Sequence, residues 1–333
     1  MSEKWKRRLK DDPVPWLLES TAVTRYRTLV EIVEKAPSLS EVQQARQQML
    51  GDSLVQRLLK ESTDWLPKAA GRNNDPALSY FKLRMLADFG VTAKEEGMRE
   101  IIAEAVTHRL DKMFAVRGTP PKRLQKGEKY VKPDPYADVW EVSPCNSPII
   151  TYALLALGYR NELVMQAVEA LQSRWTTPQG WFCHFFFVDS QFKKLQIGCP
   201  MAGLIALEVF SLIPALKETE YARNAYSTLK FHRDYGNTIY YFGRSRKFWT
   251  MKYPFIWYNA LYLADVLTRF DFLHDEILVR ELIEWIERSQ NAQGRFQPTS
   301  MYMEYKGRDF TDKKVPSPWI TFLCCRILKR WYG

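Results

Sequence analysis

The 333-residue sequence is poor in the residues that mark several classes of protein. It has only 15 Gly and 18 Pro, which excludes collagen-like and disordered chains. Its five cysteines are an odd number at irregular spacings, which favours reduced thiols over a disulfide framework. The first residues, MSEKWKRRLKDDPVP, lack the apolar stretch of a secretory signal. We therefore predict a cytoplasmic protein.

Two long stretches carry little or no charge, but both are interrupted by polar residues or prolines. The stretch at 142–159 contains Ser143, Pro144, Asn146 and Pro148, and the stretch at 195–216 contains Glu208 and two prolines. Neither is apolar enough over a sufficient length to span a bilayer. We predict no transmembrane segment.

Most short catalytic signatures are absent. The sequence contains no GxGxxG, no GxxxxGK[ST], no GxSxG and no HExxH. The sequence therefore gives no support for a dinucleotide-binding, P-loop NTPase, esterase or zinc-protease function. The function must therefore depend on less local patterns.

Charge and aromatic content are both high. Lys and Arg total 48 against 38 Asp and Glu, a net charge of +10, which favours acidic partners in general. The basic residues form only short clusters and no nucleic-acid-binding module is recognisable, so we predict no specific nucleic-acid partner. The 11 Trp and 17 Tyr exceed what a minimal core needs, which indicates that some rings line a ligand surface.

An internal repeat is the most informative pattern. Residues Glu162–Phe182 align without a gap with Glu276–Phe296, at an offset of 114 residues. Both segments begin with apolar residues at helical spacing. Both then reach a Gln-Gly pair, at Gly180 and at Gly294, followed by an aromatic residue. A glycine at this place suits a left-handed helix stop.

Each repeat helix follows another apolar helix, Pro148–Leu157 or Tyr258–Leu267, so the unit is a helical hairpin of about 45–50 residues. Weaker hairpins are predicted at 15–60, 75–109 and 200–229, and a last helix at 317–331. His184–Phe192 is the one short strand candidate, and residues 117–138 read as a long connection. The fold class predicted is all-α.

The helix followed by Gln, a short gap, Gly and Trp or Phe resembles the QW-type repeat of terpenoid cyclases and protein prenyltransferases. This resemblance implies repeated hairpins that close into a single α/α toroid over 1–333. The best-matching repeats lie at 139–333, and hairpins in 1–116 complete or cap the ring. An open α-solenoid is the alternative, because repeated hairpins stack either way.

A second resemblance concerns Gly243–Phe255, GRSRKFWTMKYPF. It is similar to the protein prenyltransferase β-subunit stretch in which an Arg, a Lys and a Tyr contact the isoprenoid diphosphate. Arg244, Lys247 and Tyr253 occupy those three places, and their groups suit a diphosphate on which charge develops. In the ring that the resemblance implies, neighbouring aromatic residues, among them Trp249 and Trp257, would hold an apolar tail. A solvated basic loop and packing between helix layers are the alternative interpretations of these segments.

The chain departs from the family at the metal. In the family a zinc-binding Asp and Cys lie between that Lys and that Tyr, where this chain has Thr250 and Lys252. No His lies near residues 315–317, where the third zinc ligand is expected, and the D-x-D-D acid motif of the cyclases does not occur. We expect that zinc-activated protein prenylation is lost and that polyene cyclisation is not the reaction.

One group of residues has the chemistry of a metal site. Cys145, Cys183, His184 and Cys199 would supply three thiolates and an imidazole, a set that satisfies tetrahedral zinc. None of these cysteines belongs to a CxxC, and cysteines are commonly buried. Core packing is the main alternative to zinc, and a reactive thiol is the other. The cofactor is otherwise left open.

The sequence thus gives two functional hypotheses. The first is a prenyltransferase-like or cyclase-like protein that binds an isoprenoid, or another elongated apolar ligand with or without a diphosphate, in a central aromatic cavity. If it is an enzyme, it is a transferase or lyase that acts on an isoprenoid diphosphate. The second hypothesis is a non-catalytic helical-repeat scaffold for a protein or an anionic partner, with its cavity plugged by side chains. The oligomeric state is open in both.

Overall fold

A computed structural model describes residues 3–65, 74–117, 139–173, 180–181, 197–235, 242–243 and 245–333. The described chain is mostly helical, which confirms the all-α expectation. Within these ranges no helix is both long enough and apolar enough to cross a membrane. The strand candidate His184–Phe192 and nearly all of the predicted connection at 117–138 lie outside the described residues.

The α-helices in chain order are α1 (Val14–Leu18), α2 (Ala22–Arg27), α3 (Ser40–Leu50), α4 (Ser53–Ser62), α5 (Ser79–Phe89), α6 (Met98–Thr107), α7 (Ser147–Ala156), α8 (Glu162–Ser173), α9 (Pro200–Phe210), α10 (Glu220–Tyr235), α11 (Ala260–Leu267), α12 (Ile277–Arg288) and α13 (Pro318–Tyr332). A π-helix, Thr28–Ile32, continues α2, and the longest 3₁₀ helix is Glu3–Arg8 near the start of the chain. The segments predicted as hairpins at 75–109 and 200–229 contain α5 and α6, and α9 and α10; of these pairs, α9 packs on α10.

Four two-residue strands were not anticipated. β1 (Arg109–Leu110) pairs antiparallel with β2 (Met113–Phe114), and β3 (Val116–Arg117) pairs antiparallel with β4 (Trp140–Glu141). Such short strands have no room for the alternation of apolar and polar residues that identifies a strand in sequence. Together the two pairs connect the end of α6 to the segment that precedes α7.

The helices form two layers that differ in burial. Nearly every residue of α5, α7, α9, α11 and most of α13 is buried, as expected of helices surrounded by protein. Helices α8, α10 and α12 bury a single stripe, which in α12 consists of Leu278, Val279, Leu282, Ile283 and Ile286. The alternation of buried and half-buried helices follows the order of the chain.

The buried helices contact one another in sequence. Helix α5 packs on α7, α7 on α9, α9 on α11, and α11 on α13. Helix α13 contacts α1, α2 and the π-helix, and α2 contacts α5. The partners on the other side are α4 for α5, α8 for α7, α10 for α9, α12 for α11 and the Glu3–Arg8 helix for α13.

The segment of the second Gln-Gly repeat contacts the first residues of the described chain. Gln290 accepts a hydrogen bond from the backbone N–H of Lys10 at 2.6 Å and donates to the carbonyl of Arg8 at 3.0 Å. Gly294 has φ +65°, and a Cβ there would lie 2.2 Å from the carbonyl oxygen of Asp11. The expected left-handed conformation is confirmed, but its place is not, because α12 ends at Arg288 and Gly294 belongs to the following turn.

Candidate functional site

The three residues predicted to hold a diphosphate have different surroundings. Arg244 lies outside the described residues, and Lys247 is exposed. Tyr253 is fully buried, and its hydroxyl donates to Oδ2 of Asp88 at 3.1 Å. Burial and the nearby Asp88 raise the pKa of Tyr253 well above its usual value. Of the two described residues, one therefore lies at the surface and the other in the core.

The two tryptophans predicted to hold an apolar tail are both half-buried. The indole N–H of Trp249 donates to the carbonyl of Gly243 at 3.1 Å, and its ring meets the edge of Trp285 at 5.7 Å between centroids. Trp257 packs against Tyr258 at 5.2 Å. Trp249 thus joins its loop to α12.

The other described rings of this segment pack in the core. Tyr253 contacts Phe310 at 5.2 Å and Trp319 at 5.4 Å, and Phe255 stacks on Tyr262 at 4.8 Å. Phe242, Phe248 and Tyr258 form a second group with centroids 5.0–6.5 Å apart. Most of the described aromatic run is therefore packing between elements, and Trp249 and Trp257 are its half-buried members.

A buried ionic cluster that sequence reasoning missed lies among α5, α9 and α11. Arg84 pairs with Glu208 and donates to the hydroxyl of Tyr262 at 2.8 Å and to the carbonyl of Phe255 at 2.7 Å. The Tyr262 hydroxyl in turn donates to Glu208 at 2.7 Å. Burial raises the pKa of Glu208 to about 7, and Arg84, Arg269 and Tyr262 act in the opposite direction.

A second cluster continues the first towards α13 and the π-helix. Asp265 accepts hydrogen bonds from Arg326 at 2.7 Å and Arg330 at 2.9 Å, and it also pairs with Arg269. Burial raises the pKa of Asp265, but the three guanidinium groups outweigh it and hold the pKa well below its usual value. Arg326 also reaches Glu31 at 3.5 Å. We call the two clusters together the ionic layer.

The ionic layer has no signature in sequence because its members come from distant helices. Arg84 and Glu208 are 124 residues apart, and Asp265 and Arg326 are 61 apart. Each would be interpreted singly as an exposed charge, and only the burial of these four residues, at 0–7% exposure, reveals the layer. Burying charged groups is costly unless each is paired and hydrogen-bonded, so a buried ionic cluster has either a structural or a functional role.

Lys252 is a buried cation of another kind. It is half-buried, its Nζ lies 3.4 Å from the centre of the Tyr302 ring, and burial lowers its pKa from 10.5 to about 8. No described acidic side chain forms an ion pair with it or raises its pKa. Within the described residues, this ammonium group is stabilised by the ring but not neutralised, so it is suited to an anion.

Two sets of hydrogen bonds position Lys252. Asn259 caps α11 by accepting from the N–H of Tyr262 at 3.0 Å, and its amide donates to the carbonyls of Lys252 at 3.3 Å and Trp257 at 3.4 Å. Met251 and Thr299 exchange two further hydrogen bonds, at 2.9 and 3.0 Å. The second pair joins the loop before α11 to the segment that carries Tyr302.

Tyr302 links Lys252 to the ionic layer. Burial raises the pKa of Tyr302, while a hydrogen bond from the Trp257 backbone and the charge of Arg84 lower it. Arg84 is thus near enough to act on the Tyr302 hydroxyl. Lys252, Tyr302 and Trp257 form what we call the Lys252 corner, in which a half-buried cation lies over the Tyr302 ring and the Trp257 backbone is hydrogen-bonded to the Tyr302 hydroxyl.

The metal candidates are only partly described. Cys145 and Cys199 are buried, at 4% and 1% exposure, whereas Cys183 and His184 lie outside the described residues. In the part of the chain that the structure covers, no group of three His, Cys, Asp or Glu side chains is arranged to hold a metal ion. Cys324 and Cys325 are fully buried in α13.

A histidine near Cys199 already has a partner. His232 is fully buried, and its Nε2 lies 2.8 Å from the carbonyl oxygen of Gly198. Because a carbonyl only accepts, this nitrogen carries the proton. Burial lowers the pKa of His232 to about 4, so the imidazole is neutral at pH 7.

Comparison of the sequence with models of known protein families gives no match. Comparison with curated proteins gives none either. The function is therefore argued from the geometry of the described residues.

Proposed function

We propose that this chain is a divergent relative of the terpenoid cyclases and protein prenyltransferases that binds an elongated apolar molecule with an anionic group. Lys252 binds the anionic group, and the rings of Tyr302 and Trp257 pack against the adjoining apolar part. The observation that carries the proposal is the half-buried ammonium group of Lys252, which lies over the Tyr302 ring and has no acidic partner among the described residues.

The proposed toroid is supported by the order of helix contacts. Contacts run from α5 through α7, α9 and α11 to α13, and from α13 through α2 back to α5. The bonds of Gln290 to Arg8 and Lys10 also bring the first residues against the last hairpin. Contacts that return to the starting helix are expected of a closed ring and not of an open solenoid.

The choice of an anionic ligand follows from the cost of burying Lys252. Desolvation of a charged lysine is unfavourable unless an anionic partner offsets it. A phosphate or diphosphate would supply that partner, since a compact ammonium group binds it as a point charge. In the sequence resemblance, Lys252 also stands at one of the places where the prenyltransferases have a zinc-binding residue. We assign no reaction.

Binding of farnesyl diphosphate tests the proposal against uncharged farnesol. Isothermal titration calorimetry at pH 7 compares wild type with Lys252→Met and with Lys306→Met, an exposed lysine that serves as the control. We expect Lys252→Met to weaken diphosphate binding about tenfold or more, which corresponds to ~1.4 kcal/mol. Farnesol binding and the control should change little.

The same titration has a pH dependence. The ammonium group is charged below its pKa of about 8, so wild type should bind the diphosphate more weakly at pH 9.5 than at pH 7. Lys252→Met should lack this component. Equal diphosphate binding by wild type and Lys252→Met at pH 7 would refute the role of Lys252, and failure of both ligands to bind would refute the proposed function.

A scaffold without a ligand is the second candidate, and the ionic layer favours it. Charged side chains from α5, α9, α11 and α13 meet between the buried helices at 0–7% exposure, as expected if the centre is plugged. Under this alternative neither farnesyl diphosphate nor farnesol binds, and a partner protein or an anionic surface recognises the outer face.

A further inference from the structure

The loop that precedes α13 exposes apolar side chains. Among the large apolar side chains of the described ranges, Met303 is the most exposed, at 65%, and Val315 is half exposed, at 50%. Single apolar side chains at a protein surface are common. These two, however, stand at the two ends of one short loop, residues 303–315, which also carries exposed lysines. We call this segment the 303–315 loop.

Buried side chains hold the 303–315 loop in a compact shape. Tyr305 and Phe310 are 1% and 2% exposed, and the centres of their rings lie 6.2 Å apart. The Thr311 hydroxyl lies 2.7 Å from the carbonyl oxygen of Arg308 and 3.3 Å from that of Tyr305. The Tyr305 hydroxyl donates to the carbonyl of Pro76 at 3.0 Å. Because these groups are turned towards the core, the exposed side chains of the loop are ordered without a partner.

The exposed charges of the loop are mainly positive. They are the ammonium groups of Lys306, Lys313 and Lys314 and the carboxylate of Asp312. Asp312 accepts a hydrogen bond from the backbone N–H of Lys314 at 2.9 Å. Within the described ranges none of the three lysines forms an ion pair. The loop therefore presents an excess of positive charge to its surroundings.

The other carboxylates of the loop are used inside the protein. Glu304 accepts from the guanidinium of Arg57 at 2.6 Å. Asp309 is half-buried and accepts from the Ser317 hydroxyl and the Trp319 backbone N–H, both at 3.0 Å. Neither carboxylate offsets the lysines at the surface. The loop is thus complementary in charge to an anionic surface.

The composition of the loop distinguishes among anionic partners. A nucleic acid binds cations but offers no apolar phase to Met303 and Val315. Protein interfaces are enriched in aromatic residues and depleted in lysine, whereas both aromatic residues of the loop, Tyr305 and Phe310, are buried. Exposed aliphatic side chains beside lysines are typical of segments that lie in the interface of an anionic bilayer.

We infer that the 303–315 loop docks the protein on an anionic lipid membrane. Met303 and Val315 enter the boundary between head groups and acyl chains, while Lys313 and Lys314 stay at the lipid phosphates. Tyr302, the residue before the loop, lies under the ammonium group of Lys252, so the docked face adjoins the Lys252 corner. The inference does not rest on the proposed function, because docking requires no ligand at Lys252.

Co-sedimentation with sucrose-loaded vesicles tests the inference, and farnesyl diphosphate is left out so that the result is independent of the Lys252 corner. Vesicles of phosphatidylcholine alone are compared with vesicles that contain about 30% phosphatidylserine, at about 0.1 M salt. One variant removes the apolar side chains, Met303→Ser with Val315→Ser. The other reverses two charges, Lys313→Glu with Lys314→Glu.

Each variant has a matched control away from the loop. Ile277→Ser removes an apolar side chain that is 61% exposed at the start of α12. Lys94→Glu with Lys112→Glu reverses two exposed charges, one before α6 and the other between β1 and β2. Melting curves establish that every variant is folded.

We expect wild type to bind the phosphatidylserine vesicles, to bind phosphatidylcholine alone much more weakly, and to be released at about 1 M salt. The charge reversal should weaken binding about tenfold or more, and the apolar variant about fivefold. Both controls should bind like wild type.

Other results would overturn the inference. These are no binding to phosphatidylserine vesicles, equal binding to both kinds of vesicle, or binding that the charge reversal leaves unchanged. Loss of binding in the charge reversal with none in the apolar variant would also overturn it, because that result is expected of a patch for a nucleic acid or an acidic protein. So would controls that weaken binding as much as the loop variants.

Discussion

Replacing Lys252 with methionine should stabilise the unliganded protein. Burial lowers the pKa of Lys252 from 10.5 to about 8, and one pKa unit corresponds to ~1.4 kcal/mol. Keeping the ammonium group protonated in the folded chain therefore costs up to ~3.4 kcal/mol at pH 7. The group is partly exposed and gains ~1 kcal/mol from the Tyr302 ring, so we expect a net stabilisation of about 1 kcal/mol.

The effect has a defined pH dependence. The pKa of Lys252 is lower in the folded chain than in the unfolded chain. Its destabilising effect is therefore at its full size at any pH below the folded-state pKa. As the pH rises from about 8 to 10.5 the unfolded chain holds a proton that the folded chain lacks, so wild-type stability rises. The difference between Lys252→Met and wild type should therefore be largest at pH 7 and smallest near pH 10.

Urea unfolding of both proteins at pH 7 and pH 10 measures this difference. Lys94→Met is the control, because Lys94 is exposed in the turn after α5, and it should change the free energy of unfolding by less than about 0.5 kcal/mol. A Lys252→Met protein that is less stable than wild type at pH 7 would contradict the reasoning. So would a stabilisation that does not decrease towards pH 10.

Two further substitutions test the fold. Arg84→Met leaves Glu208 and the Phe255 carbonyl without their buried partner, so we expect a loss of about 3–5 kcal/mol in urea unfolding, against less than about 0.5 kcal/mol for the exposed Arg280→Met. Similar losses for the two variants would contradict the ionic layer. Gly294→Ala should cost about 2 kcal/mol more than Gly158→Ala, because both glycines have positive φ but only at Gly294 would a Cβ meet another chain segment. Equal thermal shifts would argue against that close approach.

Local patterns predicted the described helices from α5 onward better than those before it, since the single hairpin predicted at 15–60 is four α-helices and a π-helix. The apolar spacing at 162–171 and 277–286 matches α8 and α12, and a left-handed glycine was expected at Gly294. The role of Gln290 was not predictable, because its partners at Lys10 and Arg8 are about 280 residues away in the chain. The spacing of apolar residues predicts a helix, but it does not predict which distant segment of the chain packs against it.

The site was less predictable than the fold. The resemblance predicts Tyr253 as a ligand contact, whereas its hydroxyl is bonded to Asp88, 165 residues away. Lys252 was predicted only to stand where the similar prenyltransferase segment has a zinc ligand. A signal for it exists in sequence, since Lys252 is the single charged residue between Phe248 and Tyr258. A charge within an aromatic run becomes half-buried with its neighbours, and only the structure shows that no described acid neutralises it.

Native mass spectrometry of gently purified protein tests the central claim, ligand binding at the Lys252 corner, most directly. We predict a retained mass of isoprenoid or lipid size on wild type, and less of it on Lys252→Met than on Lys306→Met. Protein that carries no such mass, and that stays bare after incubation with farnesyl diphosphate and with farnesol, would contradict the claim and leave the scaffold as the better account.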